Sequence, residues 1–590
     1  MFFRTRRKVR PTAYLISCAQ PVQPEGAREQ VASSSVQRRR IVRARARILM
    51  CLVAFVFTFG ALGVRLAYVS FGDVAPARAF AAAGRDGGPR PELVDRNGAI
   101  LATDIPMVAL EIAGRDVWDA DETANAVKSV LADIDAPALA EKLRAGRYVE
   151  VASDLTPFER RAIFSLGQPG VRFATRNKRF YPQGDLGAHV VGHSEAGKGG
   201  VMGLERYITA EMAKATADAP VRAAIDVRVQ QALEQELQAT MTQFKALAAW
   251  GAVMDVETGE VIALASLPDF DPNAPGAAPP DARRNRATYD RYELGSAFKA
   301  FVGASALEAG LAREDTTYDA RKPFKVADRT ITDFHGENRI LTFSEVIQHS
   351  SNIGAARMAG DLGVARQKKY LDELGLLDAL PIELAENRSP QPPDKWGPVE
   401  AATVSYGHGI SVTPLHLLAA FSAVVNGGEY HTPRFLAVDG DASDERASNM
   451  VFSEETSAIM RRVLRRVVID GTASKAEAQG YFPIGKSATA DKPSAGGYNR
   501  NARIASFIGA APGYAPRYAI LISFDNPQPG EGTYGYATAG WNAAPTFSRF
   551  VNRAAPLLGL TPVNEAVALS AFMGAAPYRE ARADLEPSAP

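Results

Sequence analysis

Cysteine is nearly absent: Cys18 and Cys51 are the only two in 590 residues, and none follows Cys51. Any exported portion beyond that point forms no disulfide, and a cysteine-ligated metal site is excluded there. Such a portion must rest on a large apolar core, for which the length and the 46% hydrophobic content are sufficient. Long apolar runs are scarce as well, and the one that stands out is the uncharged ILMCLVAFVFTFGALGV from Ile48 to Val64. Net charge is missing too, at +1, but the balance hides an asymmetry. Residues 1–47 carry about a dozen Lys and Arg against Glu25 and Glu29, so the remainder is mildly acidic by difference.

Seventeen helical residues span about 25 Å, slightly short of a hydrocarbon core of about 30 Å. Continuing past Arg65, whose long stem can snorkel, to Phe71 closes the gap. Arg38 to Arg40, Arg43, Arg45 and Arg47 immediately precede the run and nothing comparable follows it. The expected arrangement is a cytoplasmic basic tail (1–47), a single-pass anchor in the inner membrane (48–71) and an exported, periplasmic remainder. A cleavable signal peptide is the competing reading, since Ala79 and Ala81 to Ala83 follow, but a tail of this length is long for an n-region. The tail could also serve a nucleic acid. Its position against the membrane explains the charge more simply, through orientation and anionic headgroups, so no nucleic-acid partner is expected.

Residues 72–90 are rich in Ala, Gly and Pro and read as a linker. In LVDRNGAILATDIPMVALEI, from Leu93, Asn97-Gly98 between two apolar stretches predicts a hairpin. Apolar spacing of three and four predicts helices over 119–145 and 155–167, and again after Asp226. WGAVMDVETGEVIALASLPDF, from Trp250, reads as two strands joined around Glu257-Thr258-Gly259, and late strands are expected at 504–510 and 518–524. A long helix, a hairpin, more helices and late strands make an α+β domain. Beyond about Leu560 the chain turns Ala-, Pro- and Glu-rich and is expected to be a poorly ordered tail.

Three short motifs carry chemistry. Ser296-Ala297-Phe298-Lys299 is S-x-x-K; on a helix starting at Ser296, positions i and i+3 share a face, so the ammonium can reach the hydroxyl. A serine hydroxyl needs a base, and lysine serves if burial and neighbouring positive charge lower its pKa. Ser350-Ser351-Asn352 offers a hydroxyl to relay a proton and an amide to bind substrate backbone, although Ser and Asn here could equally cap a helix. Lys486-Ser487-Ala488-Thr489-Ala490 could display a cation and hydroxyls along a strand edge to hold a carboxylate. Each is weak alone; all three in this order in one exported domain mark penicillin-binding proteins and related β-lactamases.

Rival motifs fail on physical grounds. Gly480 to Ser487 fits the phosphate-loop pattern, but Tyr481-Phe482-Pro483-Ile484 is bulky and Pro483 lacks an N–H to turn toward phosphate. The stretch from Gly192 to Lys198 approaches that pattern with Gly199 where Ser or Thr is needed. His189 and His193 have H-x-x-x-H spacing without the glutamate of a zinc protease, so no metal is expected. No G-x-S-x-G elbow accompanies the histidines, which removes a Ser-His-Asp hydrolase.

With these motifs the chain resembles a class B penicillin-binding protein of the division-specific (septal) transpeptidase type. The likeness spans roughly residues 48–560 through VDRNGAILA (Val94), RFYPQGDLGAHVVGH (Arg179), NRATYDRYELGSAFK (Asn285), EVIQHSSNIGAARMA (Glu345), SYGHGISVTPLHLLAAFSAVVNGG (Ser405) and RVVIDGTASKA (Arg466). The resemblance implies a pedestal (dimerisation-like) domain over 91–220 and a transpeptidase domain over 221–560, with helices packed on a central antiparallel sheet. It implies acylation of Ser296 by a stem peptide ending in D-Ala-D-Ala, with Lys299 as base and Ser350 and Asn352 flanking the cleft. Lys486 and the hydroxyls of Ser487 and Thr489 would hold the terminal carboxylate, or that of a β-lactam. The N–H groups of Ser296 and Thr489 would form the oxyanion hole. An amine from a neighbouring strand would resolve the acyl-enzyme, and no deacylating carboxylate is evident. No cofactor is implied; the implied partners are a SEDS-family glycosyltransferase and other division proteins.

One departure bears on activity. The family's K-T-G-T-A is K-S-A-T-A here, and glycine inside a strand often marks close approach of a ligand backbone. A methyl at Ala488 could cost roughly 1–3 kcal/mol in a site that does not relax. The residue before Gly295, usually Pro, is Leu294. A slower enzyme, weaker β-lactam affinity, or a non-catalytic division scaffold would each fit the change, with a working enzyme favoured because Ser296 and Lys299 remain.

Overall fold

The structure is a computed structural model that describes residues 90–573, except 196, 213–218, 439–447 and 495–496, together with 49–62 apart from 51 and 61. The chain divides into two units, Met1–Arg85 and Asp86–Pro590. In the first, the described residues are helical and exposed, with Phe55 stacked on Phe59. Among the described residues no helix is long and apolar enough to cross a membrane. The expected basic tail, the rest of the expected span and the expected linker up to residue 89 lie outside the described residues, as does 574–590.

The second unit opens on the predicted hairpin. β1 (Leu93–Val94) pairs antiparallel with β2 (Ile100–Ala113) across a turn in which Gly98 has φ +88°. Asp95, fully buried, closes that turn: its Oδ1 accepts from the N–H of Asn97 and Ala99, both at 2.8 Å. Its Oδ2 accepts from Val227 N–H at 3.2 Å, tying the turn to the first helix of the following domain. Asp95→Ala would remove the acceptor of three part-buried N–H groups and is expected to cost about 3 kcal/mol, read as a drop in the denaturant midpoint.

β2 continues between β3 (Tyr148–Leu155) and β4 (Val171–Phe180). Three helices cover this sheet: α1 (Ala120–Val130), α2 (Ala136–Arg144) and α3 (Pro157–Ser165). The single predicted helix over 119–145 is two, because Asp135 caps the second through Ala138 N–H. Thr156 and Glu159 form a capping box that starts α3. Leu110, Ile112, Val127, Leu139, Leu143 and Ile163 make a separate small core. Below it, Arg179 and Glu205 form a buried ion pair at 2.7 Å.

The larger domain is a five-stranded antiparallel sheet sandwiched by helices. β6 (Ala248–Asp255) and β7 (Val261–Leu267) form the early hairpin. β8 (Ile484–Ser494), β9 (Gly497–Ala511) and β10 (Tyr518–Asp525) come late, giving the order β8-β9-β10-β6-β7 with β8 at an edge. One face carries α5 (Val227–Gln243) and α11 (Ala543–Ala554): a methyl on Gly251 would meet Leu233 and Leu237, and Phe507 packs edge-on to Phe547. (α4 is Gly203–Met212, at the end of the pedestal, and β5 is Val221–Arg222, which pairs parallel with β1.) The sheet also packs against a helical layer containing α6 (Lys299–Glu308), α7 (Phe343–Gln348), α8 (Asn352–Leu362), α9 (Pro414–Val425) and α10 (Glu454–Ile469). α9 is buried along its whole length, so it packs on all sides instead of presenting an amphipathic face.

The tail expected to be poorly ordered from 561 begins otherwise. Glu565–Met573 is a helix, α12, in which Ala568 is buried against Tyr514 and Ala515. EAVALSAFM carries enough apolar surface to dock, although the surrounding composition reads as tail.

Candidate active site

Ser296 sits in a 3-10 turn, Gly295–Phe298, that runs directly into α6 at Lys299. The expected helix start at Ser296 is therefore one tight turn, followed by the α-helix. Gly295 has φ +55°, and a methyl on it would lie 3.3 Å from Ala490 Cβ and 3.6 Å from Thr489 O. The nucleophile turn and the β8 edge are thus in van der Waals contact. Ser296 is half-buried, whereas Lys299 behind it is fully buried.

Lys299 Nζ lies 2.8 Å from Ser296 Oγ, 2.7 Å from Asn352 Oδ1, 2.8 Å from Ser350 O and 3.1 Å from Ser350 Oγ. Burial, then the Lys486 ammonium, holds its pKa well below the usual lysine range, with Asp333 opposing. The two carbonyl oxygens can only accept, so they take both N–H bonds of a neutral amine. The lone pair is left for the Ser296 hydroxyl. The turn thereby converts S-x-x-K spacing into a base aimed at its nucleophile.

Ser350 occupies the left-handed region, at φ +63°, an arrangement unusual for serine. That conformation sets Oγ between two amines, since Lys486 Nζ donates to it at 3.0 Å. Lys486 is fully buried, its pKa pushed down to about 7 by burial, and its ammonium also donates to Ser487 O at 3.1 Å. Asp333, which sequence reasoning missed, clamps the Ser-Ser-Asn loop: it accepts from Ser351 Oγ at 2.8 Å and Ile353 N at 3.0 Å. Asn352 Nδ2 donates to Thr332 O at 3.1 Å, which turns its oxygen toward Lys299. The cap reading also holds, because Ser351 accepts from Gly354 N–H at the start of α8. No motif spacing distinguished Asp333 in TDFHGE.

The third motif divides by face. Side chains alternate along β8 and cross-strand partners share a face. Ser487 pairs with Phe507 on the α11 side, with Thr489 two residues on; Lys486, Ala488 and Ser506 lie on the other. Ser487 Oγ is 2.6 Å from Thr472 Oγ1, and Thr489 Oγ1 accepts from Ala539 N–H at 3.2 Å. Lys486 and the two hydroxyls, expected to act together on a carboxylate, therefore point to opposite sides of the strand. Lys486 belongs with Ser350 and Lys299.

Ala488 also differs from its sequence expectation. It is 4% exposed and belongs to the main core, so the added methyl is packed inside the protein on the Lys486 side. Ala488→Gly is expected to leave the rate of penicillin acylation close to wild type. It should cost about 1–2 kcal/mol of stability, through a lost buried methyl and a freer unfolded chain. Acylation kinetics and a denaturant melt on the same preparation check both.

Near the turn, His408 lies between Tyr406 and Tyr498, with ring centroids at 5.2 and 5.3 Å. Burial lowers its pKa, with Glu293 opposing. Glu293 itself accepts from Gly409 N–H at 3.0 Å and Tyr498 OH at 2.8 Å. Elsewhere, His189 and His193 both pack edge-on to Phe270, and His189 Nε2 lies 2.8 Å from Ala282 O. The segment resembling a phosphate loop runs into β8, and no helix opens after its lysine.

Comparison with known proteins agrees with this architecture. Residues 250–551 match the model of the penicillin binding protein transpeptidase domain, and 85–216 that of the penicillin-binding protein dimerisation domain. The chain is 38% identical to "Probable peptidoglycan D,D-transpeptidase FtsI" of Caulobacter vibrioides, over 89% of this chain and 91% of that one. It is 28% identical to the peptidoglycan D,D-transpeptidase FtsI of Escherichia coli K12, over 80% and 84%. The crystal structure of a peptidoglycan synthetase from Bifidobacterium adolescentis shares the fold, with TM-score 0.63 at 22% identity over 80% of this chain and 96% of that one. A catalytic-type domain matched over half the chain, and a relative matched over nearly all of it, make this chain a member of the penicillin-binding protein transpeptidase family.

Proposed function

We propose that the chain is a peptidoglycan D,D-transpeptidase that works through an acyl-enzyme on Ser296. The carrying observation is the 2.8 Å contact between Ser296 Oγ and a buried, pKa-lowered Lys299, whose other partners are the carbonyl oxygens of Ser350 and Asn352 and the Ser350 hydroxyl. Ser296 Oγ attacks the carbonyl carbon of the penultimate D-Ala while its proton passes to Lys299 Nζ. The amide C–N bond then breaks, and the departing D-Ala amine takes a proton relayed through Ser350 Oγ. The N–H groups of Ser296 and Thr489 stabilise the oxyanion, where one donor contributes about 3 kcal/mol. An amine of an acceptor strand attacks the ester and Ser296 recovers its proton. The neighbouring carboxylates are already engaged, Asp333 by Ser351 and Ile353 and Glu293 by Gly409 and Tyr498, which favours transfer to an amine over hydrolysis.

The chain's similarity to proteins named FtsI supports a role in septal wall synthesis. The basic tail before the apolar run supports a single-pass inner-membrane anchor with the catalytic domain in the periplasm. β-Lactams are ligands of the same serine, and a SEDS-family glycosyltransferase with other division proteins are the proposed partners. The site retains its base, relay and nucleophile, so the scaffold reading has no observation in its favour. The test is to incubate membrane-extracted protein with a D-Ala-D-Ala-ending peptide and an amine acceptor. Release of D-Ala with formation of the new amide supports the reading, and release of D-Ala by hydrolysis alone contradicts it.

A further inference from the structure

The face division of β8 leaves the hydroxyl side without the lysine expected there, and a different cation stands on that side. Thr472, bonded to Ser487 Oγ at 2.6 Å, leads into a 3-10 turn, Ser474–Ala476, that contains Lys475. Lys475 Nζ lies 3.1 Å from the centroid of the Trp541 ring, and Trp541 is stacked on Tyr536 at 5.5 Å and 7°. Trp541 comes from the same loop as Ala539, whose N–H is bonded to Thr489 Oγ1 at 3.2 Å. The two segments touch directly, since a methyl on Gly540 would lie 3.0 Å from Thr472 O. Ser487, Thr489, Thr472 and Lys475 are therefore carried by three segments held against one another on one side of the strand edge.

Lys475 is exposed, and no charged neighbour contributes to its electrostatics: loss of hydration alone lowers its pKa. An indole face fixes an ammonium without neutralising it. A pre-positioned, unneutralised cation on a segment bonded to the one that carries these hydroxyls suits a carboxylate, to which charge-assisted hydrogen bonds are the strong ones. Lys486 cannot fill that role from the far side of the strand, fully buried and engaged with Ser350.

We propose that Lys475, seated on Trp541, is the counter-charge that draws the terminal carboxylate of the donor peptide, or of a β-lactam, onto the Ser487 and Thr489 hydroxyls. The assignment rests on Ser296 acylation as proposed above and adds the residue that selects for an anionic substrate end. Trp541 acts through Lys475 as a positioning residue.

The experiment compares acylation of the full-length, detergent-extracted protein by benzylpenicillin and by its methyl ester, which differs at the carboxylate. Lys475→Gln is expected to slow acylation by the free acid about ten-fold and to leave the ester nearly unchanged. Lys475→Arg should recover most of the loss, and the salt dependence seen with the free acid should flatten in Lys475→Gln. Equal losses on acid and ester, or no loss on either, would overturn the assignment, and Lys475→Arg separates charge from a folding defect. If wild-type protein takes up neither probe, the acyl-enzyme reading fails first and this assignment falls with it.

Discussion

Ser296→Ala should remove covalent labelling by fluorescent penicillin, lowering the acylation rate by about 10⁴-fold or more. The hydroxyl is the atom that forms the bond, and among the described residues no other hydroxyl has its setting. Ser350 Oγ also touches Lys299, but it is shared with Lys486 in a conformation fixed by the clamped loop. Ser487 Oγ faces Thr472 on the opposite side of β8 from both lysines. Because Ser296 is half-buried and its partner Lys299 keeps three other contacts, the variant should fold, with stability within about 1 kcal/mol of wild type. Gel fluorescence after a penicillin chase, paired with a thermal melt, separates lost chemistry from lost fold.

Lys299→Met is expected to slow acylation about 10³-fold, the scale of removing a positioned general base. Methionine keeps most of the volume, so the packing around α6 should survive. The pH dependence gives the sharper reading. A base must be unprotonated, so acylation rises as pH rises through the depressed Lys299 pKa and then levels. Lys299→Met should lack that limb. Lys486→Gln removes the neighbouring positive charge that helps to lower Lys299, so the limb should move to higher pH. A limb that stays in place in Lys486→Gln, or persists in Lys299→Met, would assign the titration to another group.

Much of this site was legible because its chemistry depends on short-range spacing. Ser296 and Lys299 three residues apart must meet on any helical turn, whether it is 3-10 or α. Ser350 and Asn352 were readable as residue types, but their geometry depends on φ +63° at Ser350 and on Asp333, which is distant in sequence. Ala488 illustrates a different limit. Period-2 alternation placed it opposite the hydroxyls, yet only the packing around β8 decides whether its methyl meets a ligand or the core. The same alternation set Lys486 and Ser487 on opposite faces, although a motif read as a unit assigned them one ligand. Lys475 stood in a quoted stretch, but its meaning depends on Trp541, 66 positions later in the chain. The helix at 565–573 was hidden because EAVALSAFM is short, apolar on all sides without an amphipathic period, and set in an Ala- and Pro-rich surrounding.

The acyl-enzyme itself is the most direct point of decision. Tryptic cleavage after Arg291 and Lys299 isolates Tyr292–Lys299, a peptide in which Ser296 is the single serine. After brief exposure of the folded, membrane-extracted protein to benzylpenicillin, mass spectrometry should find one penicilloyl group per chain, on that peptide. An adduct on a peptide carrying Ser350 or Ser487 instead, or folded protein that takes up no drug, would contradict the account.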